Sequence, residues 1–265
     1  MSNADHPAPT TGSAPLAPAS APVDLRALTS ARVALDRTGA SITTRHALEF
    51  SLAHAQARDA VHAALAVPSL LAELHQRNLT AIAVRSAARD RTEYLRRPDL
   101  GRTLAATSAA QLAGQPATDN LQPVTLSIIL ADGLSALATE RHALPVLDAL
   151  LSLLDDAWKL TPIVIAEQAR VALGDPIGAA LHADATVMLI GERPGLSSPD
   201  SLGAYITWSP CPGCTDAERN CVSNIRTEGL DYTAAARKIA WTLTEARRLG
   251  LTGVALRESG TAHLP

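Results

Sequence analysis

The chain has 265 residues, of which 23 are Lys or Arg and 26 are Asp or Glu, so its formal net charge is −3. This near-neutral balance argues against nucleic acid as the main partner, because binding to phosphate groups needs a basic surface. Hydrophobic residues make up 47% of the chain but aromatic residues only 3%, so small aliphatic side chains must fill the core, and stacking of bases or ring ligands on aromatic platforms is not expected.

Membrane insertion, secretion and a disulfide scaffold are not expected either. No uninterrupted apolar run approaches the ~18 residues that a membrane span needs. The N-terminus has no basic segment followed by an apolar one, so we expect no signal peptide. The three cysteines all lie between positions 211 and 221, which does not suit a disulfide framework. We therefore expect a soluble, intracellular protein.

Three regions follow one another along the chain. Residues 1–23 are rich in Pro, Ala, Ser and Thr and have no apolar period, which predicts a disordered tail. Residues 24–76 are predicted to form a helical N-terminal region. Its main helical stretch, Arg45–Leu74, breaks near Pro68, which can begin a second helix because the N–H that proline lacks is not needed there. Residues 77–265 are predicted to form an α/β domain.

In this third region, short β-rich runs alternate with helical stretches. The predicted strands are Thr80–Arg85, Val124–Leu130, Pro162–Ala166, Thr186–Ile190, Ala204–Trp208 and Thr252–Leu256. The predicted helices are Ser108–Ala113, Ser135–Leu154, Ile177–Ala183 and Tyr232–Leu249. Gly250 follows the last helix as its C-cap, and Leu249 is expected to face inward. Most of the strands are continuously apolar, as strands covered on both faces are. The pattern predicts an α/β fold with a doubly wound, mostly parallel sheet and a helical N-terminal region.

Ligands of open parallel sheets bind outside the carboxyl ends of the strands, and three loops follow predicted strands. These loops are residues 131–135, 167–171 and 191–198. Asp132-Gly133 in the first loop has an ordinary structural interpretation as a turn. The loop at 191–198 is less ordinary, because it places an acid, a base, two glycines and two hydroxyls directly after a buried strand. No strand is followed by a dinucleotide-binding or Walker motif.

The cysteines allow a second interpretation. Cys211 and Cys214 form a C-x-x-C pair, and Cys221 lies seven residues further on. A structural zinc site needs four ligands, and the nearest histidines in the sequence are His182 and His263. We interpret the cysteines as small thiols, and a stand-alone redox or metal-binding α/β protein that uses all three remains the alternative. No Ser/His/Asp or Cys/His spacing supports a catalytic arrangement, so neither catalytic residues nor metal ligands are predicted.

Five separated segments of the chain, in order, carry a family resemblance. They are ARVALDRTG at 31–39, YLRRPDLGR at 94–102, ADGLS at 131–135, GERPGLSS at 191–198 and NCVSNIR at 220–226. Together they resemble the small (light) subunit of ethanolamine ammonia-lyase. The resemblance runs from about residue 24 to about residue 256, and five motifs in register make it far more specific than any one of them alone.

This resemblance implies an adenosylcobalamin-dependent lyase that converts ethanolamine to acetaldehyde and ammonia. In the family, a separate large subunit holds the substrate and the radical chemistry. The small subunit closes over the cobalamin at the interface, in a hexamer of large–small pairs. The resemblance implies cobalamin contacts at Val171, Glu192 and Cys221. Amide side chains rim the corrin ring, and a carboxylate, exposed backbone and a thiol can hold that rim.

Some features refine the resemblance. The chain has no Asp-x-His-x-x-Gly motif, which agrees with base-on cobalamin binding in the family. Ala169 stands where glycine is common in the family, Pro176 where a polar residue is common, and the Cys211–Cys214 segment where a basic stretch is common. The implied location is the bacterial cytoplasm or a bacterial microcompartment. The tail lacks the amphipathic helix that directs some members into a compartment, so encapsulation stays open.

Overall fold

The computed structural model describes residues 24–29, 31–115 and 124–256. The tail at 1–23 lies outside these residues, so its disorder stays a prediction, as does the three-part division of the chain. The chain divides into two compact units, Met1–His46 and Ala47–Pro265. In the described part of the chain, no helix is long and apolar enough to cross a membrane.

The described part of the first unit is small. Two short strands, β1 (Arg37–Thr38) and β2 (Ser41–Ile42), pair antiparallel around a turn in which Gly39 has a φ of 61°. The Asp36 carboxylate accepts a hydrogen bond from Arg45 at 2.7 Å. Such exposed contacts stabilise only weakly, because water competes for both partners.

Helices account for much of the second unit. They are α1 (Thr44–His62, which begins in the first unit), α2 (Val67–Gln76), α3 (Arg91–Arg96), α4 (Ala106–Ala113), α5 (Ala136–Leu151), α6 (Gly174–Ala180) and α7 (Tyr232–Leu249). The predicted break at Pro68 is confirmed, because α2 begins at Val67 with this proline in its first turn. The predicted cap at Gly250 is also confirmed, since this residue adopts the left-handed conformation with φ 70°. Leu249 was wrongly expected to face inward and is 44% exposed.

A single large sheet forms the centre of the second unit. Its strands are β3 (Ala81–Arg85), β4 (Val124–Ala131), β5 (Trp158–Leu160), β6 (Ile163–Glu167), β7 (Ala185–Gly191), β8 (Leu202–Trp208) and β9 (Arg219–Ile225). The strand order is β3-β6-β4-β7-β8-β9, and β5 pairs with the beginning of β4. All pairings up to β7 are parallel, and β8 and β9 are antiparallel. The predicted mostly parallel sheet is confirmed.

The sheet is covered on both faces, as a doubly wound fold requires. Alternate residues of β4 face opposite sides of the sheet. Leu126, Ile128 and Leu130 pack into a core with α5 and α7. Ile129, one position out of phase, packs into the other core, to which α6 contributes Ile177. Side chains of a strand alternate between the two faces of a sheet, so an uninterrupted apolar run is what a central strand needs.

One predicted strand is wrong. Residues Thr252–Leu256, expected as a strand, form a 3-10 turn over Gly253–Ala255. Gly253 has a φ of 88°, which extended backbone does not allow. Its N–H donates to Asn220 Oδ1 at 2.7 Å, so the segment packs against the beginning of β9 without joining the sheet as a strand.

Candidate functional site

A cavity lies at the carboxyl edge of the parallel strands, where the three candidate loops come together. Strands β4, β6 and β7 end at Ala131, Glu167 and Gly191. The cavity has a volume of about 390 Å³. Its lining comes from α3, from all three loops and from β8: Tyr94, Gly133, Leu134, Arg170, Val171, Ile190, Gly191, Glu192, Arg193 and Tyr205. Its position is the one expected for a ligand site of an open α/β sheet.

The Asp132 carboxylate ties two of these loops together. It accepts hydrogen bonds from the backbone N–H groups of Gln168 at 2.8 Å and Ala169 at 2.9 Å, and from the Arg91 guanidinium at 3.3 Å. Burial raises the pKa of Asp132 to about 6, although these hydrogen bonds and the Arg91 charge act in the opposite direction. The ordinary structural interpretation therefore accounts for Asp132, which fixes the loop that carries Val171.

Two glycines let the loops approach one another closely. Leu134 N–H donates to the carbonyl oxygen of Gly191 at 2.9 Å. A Cβ at Gly191 would lie 2.0 Å from the Ser135 carbonyl oxygen, and one at Gly133 would lie 2.2 Å from the Gly191 carbonyl oxygen. Any larger residue would push the 131–135 and 191–198 loops apart, so both glycines shape the floor of the cavity.

Val171 and Glu192, two of the three residues that the family resemblance picked out, line this cavity together. Val171 begins a 3-10 turn after β6, and its half-buried side chain also packs against the core that contains Ile177. Glu192 directly follows β7, and its Oε2 atom accepts hydrogen bonds from the Ser201 hydroxyl and from Asn224 N–H, the latter at 3.2 Å. No described residue donates a hydrogen bond to the other carboxylate oxygen, Oε1.

Cys221 does not line this cavity; it is exposed and lies next to a residue of the cavity wall. It pairs with Tyr205 across β8 and β9, and Tyr205 lines the cavity. Neighbouring groups exclude part of the water around its sulfur, and this raises the pKa of the Cys221 thiol. A hydrogen bond with the Tyr205 side chain lowers the same pKa, and the nearby Glu192 charge raises it. Cys221 itself lines a separate cavity of about 300 Å³ beside α7. The third predicted residue is thus one side chain away from the other two.

The other two cysteines form a separate pair. The Sγ atoms of Cys211 and Cys214 are 3.4 Å apart in the turn that follows β8. Cys211 is exposed and Cys214 is half-buried. Across the described residues, no group of three or more His, Cys, Asp or Glu side chains could hold a metal ion.

Sequence reasoning did not single out the other polar side chains of the cavity, Tyr94, Arg170 and Tyr205. Tyr94 is fully buried, and its hydroxyl donates to the Ala169 carbonyl oxygen at 2.9 Å. Burial raises the pKa of Tyr94, so the phenol stays protonated and acts as a donor. Tyr94 lies in the second segment of the family resemblance, and that segment was the available signal. Tyr205 could be found only from the pairing of β8 with β9.

Comparisons with known proteins agree with one another. The sequence model of the family described as ethanolamine ammonia-lyase light chain (EutC) matches residues 20–257. A protein of Bradyrhizobium diazoefficiens named ethanolamine ammonia-lyase small subunit is 54% identical over 253 residues, covering 95% of each chain. A protein of the same name from Azotobacter vinelandii is 54% identical over 235 residues, 88% of this chain and 87% of the relative. Another from Xanthomonas campestris is 51% identical over 243 residues, 91% of this chain and 88% of the relative.

Proposed function

Because the chain belongs to the ethanolamine ammonia-lyase light chain family, we propose that it closes over adenosylcobalamin at the interface with a large subunit that deaminates ethanolamine. The products are acetaldehyde and ammonia. Membership confirms the family resemblance of the five sequence segments. A small subunit implies a large subunit as its partner. In this proposal the present chain supplies no catalytic residue, and its role is to hold the cofactor.

One observation supports the cofactor role more than any other. Val171 and Glu192 lie in different loops, 21 positions apart (192 − 171) in the sequence, yet they line one cavity at the ligand-binding edge of the sheet. The family resemblance alone, which contains no information on the cavity, implies that both residues contact cobalamin. Cys221 contacts Tyr205 in the wall of the same cavity.

The chemistry of the cavity fits the periphery of a corrin. Amide side chains of the corrin rim offer both N–H donors and carbonyl acceptors. Glu192 Oε1 receives no hydrogen bond within the described part of the chain and can accept from an amide. Gly133 and Gly191 bring backbone close to the cavity without side chains in the way. A cavity of about 390 Å³ suits an edge of this large cofactor, so the rest of its surface must meet the large subunit.

Each residue then has a defined task. Bound adenosylcobalamin supplies the radical chemistry of the deamination. Glu192 accepts a hydrogen bond from a corrin amide, and Val171 offers apolar surface against the ring edge. Cys221 contacts Tyr205 and, being exposed outside the cavity, would present its sulfur to a part of the cofactor edge that extends beyond it. In this arrangement Glu192 and Val171 would hold the periphery of the cofactor.

The test uses the complex of this chain with its large subunit, obtained by co-expression. We expect adenosylcobalamin-dependent release of acetaldehyde from ethanolamine by the complex and none by this chain alone. Substitution of Glu192→Ala should weaken adenosylcobalamin binding about tenfold or more, as expected for loss of a charge-assisted contact. The control is Glu245→Ala, because Glu245 lies on α7 and pairs with Arg248 at 2.7 Å. A complex that binds no cobalamin would overturn the proposal, and unchanged affinity of the Glu192 variant would exclude this contact.

The assembly follows from the same proposal. We expect a hexamer of large–small pairs in the bacterial cytoplasm, free or enclosed in a microcompartment. The native mass of the co-expressed complex tests the stoichiometry directly. Six small and six large chains per particle agree with the proposal, and a single pair contradicts the proposed assembly.

A further inference from the structure

Arg170 has a charge that no carboxylate neutralises within the described part of the chain. It lines the cavity together with Val171 and Glu192. Its guanidinium lies over the ring of Tyr94, 4.4 Å from the centroid, and Nη2 donates a long hydrogen bond of 3.5 Å to the Tyr94 carbonyl oxygen. Its Nε atom is buried and has no acceptor among the described residues. Arg170 therefore keeps unused donors beside the cavity.

Other arginines held in the interior of this protein are paired. Arg91, which stacks on the same Tyr94 ring at 4.7 Å, lies 3.3 Å from the Asp132 carboxylate. Arg219 forms two hydrogen bonds with Asp175, at 2.5 and 2.7 Å. Arg170 is half-buried, and it alone of these three arginines has no carboxylate partner among the described residues. Shielding a cation from water without an anionic partner is costly, so the exception at Arg170 points to a partner that comes from outside the chain.

The segment at 94–102 holds Arg170 in this position. Arg170 N–H donates to the Gly101 carbonyl oxygen at 2.8 Å. A Cβ at Gly101 would lie 2.9 Å from Arg170 Cγ and 2.9 Å from the Tyr94 ring, so only glycine lets the arginine stem pass. Tyr94 in turn is anchored by its hydroxyl on Ala169. This segment carries part of the family resemblance and has no other assigned role. Its Gly101 and Tyr94 position the Arg170 side chain.

We propose that Arg170 donates hydrogen bonds to an oxygen acceptor of the bound cobalamin. The acceptor is a carbonyl oxygen of a corrin amide or a phosphodiester oxygen of the nucleotide loop, and both match the planar donor set of a guanidinium. The cavity then meets the cofactor with complementary groups, since Glu192 accepts hydrogen bonds and Arg170 donates them. This inference rests on the proposed function, because it assumes that cobalamin occupies the cavity.

The experiment measures equilibrium binding of cyanocobalamin to the complex of large and small subunits, independently of turnover. The small subunit carries Arg170→Met, Arg170→Lys or, as a matched control, Arg102→Met. Arg102 is exposed, lies in the same segment and does not line the cavity. We expect Arg170→Met to weaken binding by about tenfold to 150-fold, the effect of losing a charge-assisted hydrogen bond. Arg170→Lys should weaken it less, and Arg102→Met should leave it unchanged.

A parallel series with cyanocobinamide, which lacks the nucleotide loop and its phosphodiester, identifies the acceptor. If Arg170→Met weakens binding of cobalamin but not of cobinamide, the acceptor is the phosphodiester. If it weakens both equally, the acceptor is a corrin amide. Binding of both ligands within about threefold of the unaltered complex overturns the inference.

Two further points keep the test decisive. If Arg170→Met prevents assembly, Arg170→Lys decides alone: a loss of about threefold or more with an unchanged Tm supports a direct contact, and a smaller loss overturns it. If the unaltered complex binds no cobalamin, the proposed function itself fails. If it binds cobalamin and the Arg170 variants bind equally well, only the present inference fails.

Discussion

The Ser201 hydroxyl donates a hydrogen bond to the Glu192 carboxylate, and this contact sets the orientation of the acid. The same oxygen accepts from the backbone N–H of Asn224 at 3.2 Å. The three residues come from different segments: Glu192 follows β7, Ser201 precedes β8 and Asn224 lies near the end of β9. With Oε2 held in this way, Oε1 is the carboxylate oxygen left to meet a ligand.

Removal of the Ser201 hydroxyl should therefore weaken cofactor binding indirectly, through the orientation of Glu192. In Ser201→Ala, Glu192 keeps one of its two donors and gains rotational freedom. We expect cobalamin affinity of the complex to fall about three- to tenfold, as is typical for one hydrogen bond. Ser198→Ala is the matched control, because the hydroxyl of Ser198 makes no hydrogen bond to a described residue. Equal affinities of the Ser201 and Ser198 variants would contradict a positioning role for Ser201.

The carboxyl group of Asp132 should make stability depend on pH. Burial raises its pKa to about 6, whereas an unperturbed Asp titrates near 3.8. The folded chain thus binds this proton more tightly than the unfolded chain, and the resulting stabilisation is complete below pH 3.8 and is lost as the pH rises through 6. Relative to Asp132→Asn, the free energy of unfolding should fall by up to about 1.4 kcal/mol per pH unit between the two pKa values.

Urea unfolding of both proteins at matched pH values measures this difference. All other titrating groups are the same in the two proteins, so the difference between their free energies of unfolding isolates the contribution of Asp132. A difference between the two curves that stays constant from pH 4 to 7 would show that Asp132 does not titrate in this range. Since Asp132 holds Ala169 and Gln168, its protonation should also loosen the loop that carries Val171.

Local sequence could predict the central strands but not the edge of the sheet. β7, Ala185–Gly191, is buried at every position, and its sequence is apolar except for Thr186, so its place in the core can be predicted from composition. β9, Arg219–Ile225, buries only Arg219, Val222 and Ile225, every third residue, which does not match the period of two that predicts a strand. The opposite error occurred at Thr252–Leu256, where apolar composition suggested a strand but a left-handed glycine excludes one.

The functional site, like the sheet, combines features that local sequence predicts with features that depend on contacts between distant residues. Each loop could be located because it follows an apolar strand, and the family resemblance then pointed to Val171 and Glu192. Arg170 is the immediate neighbour of Val171, yet nothing local distinguishes it from a solvated arginine. Its significance comes from Tyr94, 76 positions earlier (170 − 94), and their contact exists only because α3 packs against the loop after β6.

A buried ion pair should be a weak point of the fold. Arg219 and Asp175 are almost fully buried and form two hydrogen bonds. Burial alone would lower the pKa of Arg219, but the hydrogen bonds with Asp175 raise it overall. We expect Asp175→Asn to reduce the free energy of unfolding by about 3–5 kcal/mol, because it leaves a buried cation without its partner. Glu245→Gln, which breaks the exposed pair with Arg248, should cost at most about 1 kcal/mol.

Chemical denaturation of the two variants gives both numbers. The pair of changes Asp175→Leu and Arg219→Met provides a second check, since removing both charges should restore part of the loss. A double variant no more stable than Asp175→Asn would contradict an electrostatic origin and would instead assign the loss to packing.

The Cys211–Cys214 pair should react as a unit and independently of the cofactor site. With their sulfur atoms 3.4 Å apart, both thiols can exchange with oxidised glutathione, which forms one internal disulfide and releases two molecules of reduced glutathione. Cys211 is more exposed than its partner Cys214 and meets the oxidant first. Cys221 is exposed as well, but it has no second thiol beside it with which to close an internal disulfide, so it should stay reduced.

Oxidation should therefore lower the number of titratable thiols from three to one. In Cys211→Ser, the two remaining thiols should stay reduced under the same conditions. Cobalamin affinity of the complex should not change on oxidation, because neither cysteine of the pair lines the cavity that contains Glu192. The alternative of a stand-alone redox or metal protein makes a different prediction: all three cysteines would act together, and purified protein would hold zinc or iron in stoichiometric amount. Joint oxidation of Cys221 with the pair, or stoichiometric metal, would favour that alternative over a cofactor-closing subunit.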